Sequence, residues 1–214
     1  MLIGLVGLPS CGKSTFFKAA TLANVEISPR PFTTIKASEG EAYVKIECAE
    51  KFFNVKCNPR FGFCVNGKRF IPVRLMDIAG LIEKSHEGKG LGNLFLNDIR
   101  EADALIHVID ISGSIDEKGN LVKSLTYDPA KYIEIIENEL DMWYYQILKK
   151  GWDKFARTVN QEKQNIVKAL AKQLSGLKVT EEHVENSIKK LKFNEDALSW
   201  NDNNLRELSS ILRK

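Results

Sequence analysis

The residues with the clearest chemistry lie near the start of the chain, where residues 7–14 read GLPSCGKS. Two glycines, a lysine and a hydroxyl residue stand at the spacing G-x-x-x-x-G-K-[ST]. The glycines allow backbone N–H groups to point at one anion, and a following helix adds partial positive charge. Lys13 can reach the β- and γ-phosphates of a nucleotide, and the Ser14 hydroxyl can bind Mg²⁺. The predicted nucleotide contacts come from Gly7, Pro9, Ser10, Cys11, Gly12, Lys13, Ser14 and Thr15.

A second motif, DIAGL at residues 77–81, follows a run of alternating apolar and polar residues. Asp77 at the end of that run is a candidate for holding Mg²⁺, and Gly80 is small enough for its N–H to approach a γ-phosphate. Some nucleotide hydrolases orient the attacking water with a glutamine, often at the next position. Leu81 has no side-chain donor or acceptor. The motif therefore predicts a phosphate-sensing loop and leaves open which group positions the water.

Two further segments contain candidates for the same chemistry. SPRPFTTIKASEG, between the two motifs, offers Thr33 and Thr34 as hydroxyl ligands for Mg²⁺ in a loop that senses the γ-phosphate. The residues alone leave an equal alternative, in which both threonines are β-branched residues entering a strand. His86 follows the second motif and could orient water in place of glutamine, or could be a solvated loop histidine.

Strand and helix patterns alternate around these motifs. MLIGLV, FIPVRLMD and ALIHVID read as strands, and KSTFFKAATLA and GNLFLNDIREA have helical periodicity. Pro72 in the second run favours a place toward a sheet edge, whereas the third run is apolar enough for a strand covered on both faces. This alternation predicts an α/β fold with a doubly wound, mainly parallel sheet.

From about residue 128 onward the patterns are helical only. Asp128 and Pro129 are typical of a helix start, and an apolar stripe follows them. Another helical period covers residues 152–176, and Thr180 is a candidate cap for a third helix. A fourth pattern runs to the last residue, and the polar stretch 112–124 is expected to be a linker. The basic residues opposite the second apolar stripe are Lys150, Lys154, Arg157, Lys168 and Lys172.

Composition sets limits on the class of protein. The 214 residues are 43% hydrophobic and 28% charged, as in an ordinary globular protein. Without an apolar run of about 18 residues no membrane span is expected, and without an export signal we expect a cytoplasmic protein. The net charge is only +3, so nucleic-acid affinity needs a local patch. The eight lysines and arginines within residues 149–178 are either such a patch, tracking phosphates of ribosomal RNA, or a solvated helix face.

The four cysteines carry a weaker pattern. Cys48, Cys57 and Cys64 could suggest zinc, but they lack the paired C-x-x-C spacing of structural zinc sites, which favours ordinary reduced thiols. Cys11 lies before a predicted helix, where the N-terminus should lower its pKa. His107, inside the third strand pattern, is expected to be a core histidine.

Several segments together resemble one protein family. GLPSCGKST, PFTTI, DIAGLIEKSHEGKGLGN and IREADALIHVID are similar to the Obg-like GTPases, specifically to their YchF-related branch. The resemblance covers about residues 1–112. It implies a P-loop fold, Mg²⁺, hydrolysis of GTP or ATP, a role at the ribosome, and a helical, coiled-coil-like arm inserted in the nucleotide domain.

The resemblance also implies roles by position. Lys13 would hold phosphates, Gly80 would sense the γ-phosphate, and Thr34 ranks above Thr33 because it stands at the more constant threonine of the PFTT motif. Relatives carry an apolar residue at the position of Leu81, which implies slow turnover, with the water positioned by a cation, a loop residue or a partner. The implied metal ligands are Ser14, Thr34 and Asp77, the last through water, and the candidate catalytic residues are Lys13, Thr34, Gly80 and His86.

The sequence departs from the family pattern in two places that bear on function. Ser10 stands where many relatives have an asparagine that helps potassium-activated members hold the cation, so potassium activation is not expected. The base-reading motif N-K-x-D is absent, which leaves GTP and ATP open and implies a chain that stops before the base-reading strand. The predicted parts are a nucleotide-binding core at 1–115, a helical insertion at 116–200, and a returning helix of the nucleotide domain at 201–214.

Overall fold

The computed structural model describes residues 1–22, 37–81 and 98–213, which divide into two compact units, Met1–Ile133 and Glu134–Lys214. The strands are β1 (Leu2–Val6), β2 (Ser38–Glu47), β3 (Phe63–Val65), β4 (Lys68–Asp77) and β5 (Ala104–His107). The helices are α1 (Lys13–Thr21), α2 (Glu50–Phe53), α3 (Ala130–Lys149), α4 (Trp152–Gln161), α5 (Ile166–Gln173), α6 (Glu181–Leu191) and α7 (Asp202–Leu212). Residues 98–101 are also helical, and the rest of the predicted helix around them lies outside the described residues.

The first unit is built on a mixed sheet in the order β2-β4-β1-β5, with β3 also paired to β4. β1 runs parallel to β4 and to β5, and its register sets Leu5 beside Asp77 and Val6 beside His107. The carboxyl ends of these three strands therefore meet at one edge, where ligands bind in open α/β sheets. β2 and β3 are antiparallel to β4.

The place of β4 differs from the expectation based on Pro72. β4 is internal, because β2 pairs along its whole length while β1 and β3 pair on its other side. The proline fits there because β3 pairs only up to Phe70 and β1 begins pairing at Arg74. Arg74 N–H donates to Met1 O, so the nitrogen two residues earlier faces the gap between these two partners.

The prediction that the third strand run is covered on both faces is wrong for β5. Leu105 is 38% exposed and Ile106 is 39% exposed. Within the described part of the chain β5 pairs with β1 alone, so it is the last strand of the described sheet. α1 packs on the sheet through Phe17, which clusters with Leu5, Ala42 and Leu75.

The second unit is helical and has its own apolar core. α4, α5, α6 and α7 contribute to one cluster of buried residues in which Trp152 stacks on Trp200 with ring centroids 5.7 Å apart. The predicted helix starts are confirmed: Asp128 accepts from Ala130 N–H, and Thr180 accepts from His183 N–H. None of the described helices combines the length and apolarity needed to cross a membrane.

Residues 152–176 do not form one helix, contrary to expectation. The chain leaves the helical conformation at Lys163, whose φ is 50°, and Asn165 caps a new helix by accepting from Lys168 N–H at 3.1 Å. The five basic residues predicted to lie opposite the second apolar stripe are therefore divided between α4 and α5, with Lys150 before them.

α7 packs in the helical unit through Leu205 and Leu208. The predicted division instead places residues 201–214 in the nucleotide domain. The three-part division itself stays a prediction.

Candidate nucleotide-binding site

The loop between β1 and α1 has the backbone that phosphate binding needs. Gly7 and Gly12 have φ values of 154° and 98°, and a Cβ on Gly7 would lie 2.3 Å from the carbonyl oxygen of Val108. Gly12 is the N-cap of α1, and among the described residues no side chain caps the helix. The first N–H groups of α1 are thus open to an anion at the positive end of the helix.

Lys13 lies inside this loop. Its side chain is 6% exposed, and Nζ donates to the carbonyl oxygens of Gly7 at 3.2 Å and Leu8 at 2.8 Å. Burial lowers the pKa of Lys13, while Cys11 and Asp77 raise it in part. A buried ammonium gains stability when an anion approaches, which suits a phosphate ligand.

The Ser14 hydroxyl donates to Oδ2 of Asp77 at 2.6 Å, although the residues are 63 positions apart. Asp77 is fully buried at the end of β4. Hydroxyl and carboxylate oxygens are suitable ligands for Mg²⁺, so this pair fits the predicted metal site. The Ser10 hydroxyl is buried without a hydrogen-bond partner among the described residues, and thus offers a polar atom to a ligand.

The DIAGL loop lies directly against the phosphate loop. A Cβ on Gly80 would lie 2.6 Å from the backbone nitrogen of Pro9 and 2.7 Å from its Cα, so only glycine fits there. Leu81 N–H donates to Gly7 O at 3.1 Å, and the Leu81 side chain is 1% exposed. The side chain at the glutamine position is therefore part of the core and is not available to water.

The stretch 112–124, expected to be a linker, is an ordered part of this edge of the sheet. Asp110 accepts from the N–H and hydroxyl groups of Ser112 and Ser114 at 2.6–3.0 Å. Asp116 accepts from Lys118 and Asn120 in a second turn of the same kind. A Cβ on Gly119 would lie 2.6 Å from Pro9 Cβ, so the stretch packs on the phosphate loop. The sequence does contain a signal for these two turns, because each aspartate is followed at turn spacing by serine or glycine.

The pKa of Cys11 shifts in the direction opposite to the one expected from the sequence. Burial raises the pKa of this thiol, and the nearby Lys13 offsets only part of the increase. Desolvation thus outweighs the positive end of the helix, and the raised pKa of this half-buried cysteine favours the neutral thiol over the thiolate.

The structure brings most of the predicted site residues together. The phosphate loop, Lys13, Ser14, Asp77 and Gly80 surround one edge of the sheet, while Thr15 is exposed on α1. Thr33, Thr34 and His86 lie outside the described residues, so their predicted roles stay predictions. His107 is half-buried at the end of β5.

A glycine-containing loop between a parallel strand and a helix, closed by a buried lysine and a serine–aspartate pair, defines a P-loop nucleotide-binding protein. Residues 2–140 match the family described as 50S ribosome-binding GTPase. The chain belongs to this family. The predicted resemblance to the Obg-like GTPases and their YchF-related branch is confirmed by the relatives, and so is the fold class.

Three relatives show the extent of the match. A GTP-binding protein of Methanocaldococcus jannaschii is 48% identical over 213 residues, which are 100% of this chain and 53% of the relative. The ribosome-binding ATPase YchF of Mycoplasma genitalium is 35% identical over 72% of this chain and 39% of its own length. The crystal structure of a GTP-binding protein from Pyrococcus horikoshii has a TM-score of 0.81 and 37% identity over 100% of this chain and 53% of that chain. The chain thus spans about half the length of the first and third relatives.

Proposed function

We propose that this chain is the nucleotide-binding part of a Mg²⁺-dependent nucleoside triphosphatase that takes GTP or ATP and acts as a slow switch at the ribosome. One observation carries the proposal: the buried Lys13 ammonium lies at a helix N-terminus beside a Ser14–Asp77 pair joined at 2.6 Å. This arrangement provides positive charge for phosphates and oxygen ligands for a divalent cation at the same place. A relative named as GTP-binding supports the proposed nucleotide, and a relative named as ribosome-binding supports the proposed place of action.

In this proposal each part of the loop has one task. The loop N–H groups and the open N-terminus of α1 bind the phosphates, and Lys13 turns from the carbonyls of Gly7 and Leu8 to the β- and γ-phosphate oxygens. Ser14, Asp77 and Thr34 hold Mg²⁺, which when bound neutralises phosphate charge in the transition state. Thr33 is the second candidate for the hydroxyl ligand.

The second loop would supply the switch. Gly80 contacts Pro9, and Leu81 N–H shares the Gly7 carbonyl with Lys13. These contacts support the proposal that a change at the γ-phosphate passes from one loop to the other. Slow turnover is expected because the buried Leu81 side chain has no polar group for the attacking water. His86 or a partner is proposed to position that water.

Hydrolysis with a matched lysine control tests the enzyme. Lys13→Ala should reduce the Mg²⁺-dependent rate about 100-fold or more, because one preorganised charged donor is lost from the transition state. Lys18→Ala removes an exposed lysine from the same helix and should leave the rate within about twofold. Equal rates for Lys13→Ala and the unmodified chain would mean that the activity comes from another site or a contaminant.

The base preference needs its own measurement, because the sequence contains no N-K-x-D motif. Displacement of a fluorescent GTP analogue by unlabelled GTP and by ATP would rank the two nucleotides directly. We expect GTP to compete better, following the name of the relative with 48% identity. Stronger competition by ATP would mean that the chain prefers ATP, the nucleotide in the names of the YchF relatives.

A second candidate function is binding of ribosomal RNA by the helical unit, with little or no hydrolysis by this chain. Lys154, Arg157 and Lys168 are exposed and form no ion pair within the described part of the chain, whereas Lys149 pairs with Asp202. Exposed cations without acidic partners are suited to phosphate contacts that ignore base sequence. A role at the ribosome would also place the protein in the cytoplasm.

Charge reversal tests this candidate. Reversal of Lys154, Arg157 and Lys168 to glutamate should weaken retention on ribosomes at low salt and flatten its salt dependence. The control reverses Lys189, Lys190 and Lys192, which lie at the end of α6 and just after it and give the same net charge. If both variants lose retention equally, the effect comes from net charge and the two helices carrying the first group are not a specific contact.

A further inference from the structure

Three cysteine side chains converge at the end of the sheet formed by β2, β3 and β4. Cys48 follows β2, Cys57 follows α2 and Cys64 lies in β3, and their Sγ atoms all lie within 4.8 Å of one another. All are free cysteines. Sequence spacing alone favours ordinary reduced thiols and does not indicate this convergence, which arises because the antiparallel pairing of β2 and β3 with β4 brings distant positions together.

We propose that the Sγ atoms of Cys48, Cys57 and Cys64 bind one thiophilic metal ion, which we expect to be Zn²⁺. This site is separate from the proposed nucleotide site and goes beyond the proposed function. Thiolates favour Zn²⁺ and other soft ions over Mg²⁺ or Ca²⁺, so the ligand set selects the class of metal.

The spacing of the sulfur atoms suits such an ion. A tetrahedral centre with zinc–sulfur bonds of about 2.3 Å places its sulfurs about 3.8 Å apart, so a contraction of about 1 Å or less would close the site. A disulfide could join only two of the three atoms and would leave the third thiol without a function in the cluster. Among the described residues no fourth histidine, cysteine or carboxylate belongs to the group, so the fourth position is open to water or a partner's ligand.

The ligands are held by contacts that do not involve metal. Cys57 N–H donates to Oε2 of Glu50 at 3.0 Å, which fixes the turn after α2. The guanidinium of Arg69 donates to the carbonyl oxygens of Phe61 and Phe63, which fixes the loop leading to Cys64. Such contacts orient metal ligands before the ion arrives and are typical of preformed sites.

The three thiols lie close enough together to shift one another's pKa values. The backbone N–H of Glu50 lowers the pKa of Cys48. A hydrogen bond with Cys48 raises the pKa of Cys57, and burial followed by the contact with Cys48 raises that of Cys64 to about 12. Three adjacent thiols cannot all ionise unless a positive charge lies between them, and metal binding supplies that charge as the protons leave.

Few apolar side chains of the surrounding segment are buried. In residues 48–67 the only apolar side chain in the core is Cys48, while Phe52, Phe53 and Phe61 are 84%, 65% and 65% exposed. α2 buries no residue. A small segment without a core commonly depends on a metal or a disulfide for its fold, and here the metal would join the three parts of the segment.

Metal analysis of the purified chain tests the site. The chain, produced with zinc, copper and iron in the medium and passed over a weak chelator, should retain about one Zn²⁺ per molecule by mass spectrometry. Cys48→Ser, Cys57→Ser and Cys64→Ser should each lower the zinc content at least fivefold. Cys11→Ser removes a cysteine outside the cluster and should retain zinc fully. Copper or iron in place of zinc in the unmodified chain would overturn the zinc assignment.

A cobalt titration keeps the test decisive if the serine variants fold poorly. Adding Co²⁺ to the unmodified, metal-free chain should produce sulfur-to-cobalt charge-transfer absorption and the visible bands of a tetrahedral ion, and Zn²⁺ should abolish both. A chain that binds neither metal while all four thiols are reduced would refute the proposal.

Discussion

Three serine hydroxyls at buried or half-buried positions have different kinds of partner in the two compact units. In Met1–Ile133 the Ser14 hydroxyl donates to Asp77, 63 positions away and on another element. In Glu134–Lys214 the hydroxyls of Ser187 and Ser209 donate to carbonyl oxygens four and three residues earlier in their own helices. Polar groups that link separate segments can respond to a ligand, whereas groups bonded within one helix only complete that helix.

The apolar residues show the complementary difference. The helical unit rests on a large buried cluster that includes Leu170, Leu205 and Leu208, all with no exposed area. The described cluster beneath α1 is small and consists of Leu5, Phe17, Ala42 and Leu75. We infer that mutation can separate stability in the second unit from ligand binding in the first.

The largest expected effect is on the core of the helical unit. Leu170→Ala should lower the free energy of unfolding of this unit by about 2–5 kcal/mol, because it removes buried methyl groups and leaves a cavity. All three tryptophans of the chain, at positions 143, 152 and 200, lie in this unit, so their fluorescence during urea unfolding reports on it alone. Nucleotide affinity, measured with a fluorescent analogue, should stay within about twofold.

The control is Leu198→Ala, which truncates a leucine that is 50% exposed in the same unit. It should change the unfolding free energy by about 0.5 kcal/mol or less. A large loss of nucleotide affinity in Leu170→Ala would mean that the two units are coupled and would break the comparison.

A smaller effect is expected where the two loops of the first unit touch. Gly80→Ala places a methyl group 2.6 Å from Pro9 N, and backbone atoms cannot give way as a flexible side chain would. We expect a loss of about 1–3 kcal/mol, measured as weaker nucleotide binding in a fluorescence titration. Gly151→Ala is the control: its φ of 80° makes alanine strained but nothing lies within 4 Å, so it should cost stability in the helical unit and leave nucleotide affinity unchanged.

Much of the fold could be predicted because the local patterns were strong. β1, β4, β5, α1 and the helices after residue 128 follow from apolar periodicity and from caps such as Thr180. The break at Lys163 was missed because the apolar stripe continues across it, and only the Asn165 cap signals a new helix start. The internal position of β4 depends on two partner strands that each avoid Pro72, which is a property of the sheet and not of the strand.

The candidate site was predictable where one motif contains both the spacing and the chemistry. Residues 7–14 are of this kind, because the glycines, Lys13 and Ser14 are adjacent in sequence. The contact of Gly119 with Pro9 and the convergence of Cys48, Cys57 and Cys64 were not predictable, because they join segments whose proximity is set by strand register. The raised pKa of Cys11 was missed because burial cannot be read from a helix start.

The smallest expected effect concerns a buried serine whose hydroxyl donates within its own helix. Ser209 is 1% exposed and its hydroxyl donates to Arg206 O at 2.7 Å. Ser209→Ala should change the unfolding free energy by about 1 kcal/mol or less, because the lost hydrogen bond is local and alanine favours the helix. Ser210 is next to Ser209 on α7 and is less buried, so Ser210→Ala measures only the change in unfolding free energy that comes from helix propensity.

The difference between these two variants, followed by tryptophan fluorescence, is therefore the net contribution of the buried hydroxyl. A cost above about 2 kcal/mol would exceed what a hydrogen bond within one helix contributes. It would mean that Ser209 supports packing between helices, and that the helical unit also depends on buried polar contacts. In the first unit the corresponding change, Ser14→Ala, removes a partner of Asp77 from another element, and it should weaken Mg²⁺-dependent nucleotide binding more than it lowers stability.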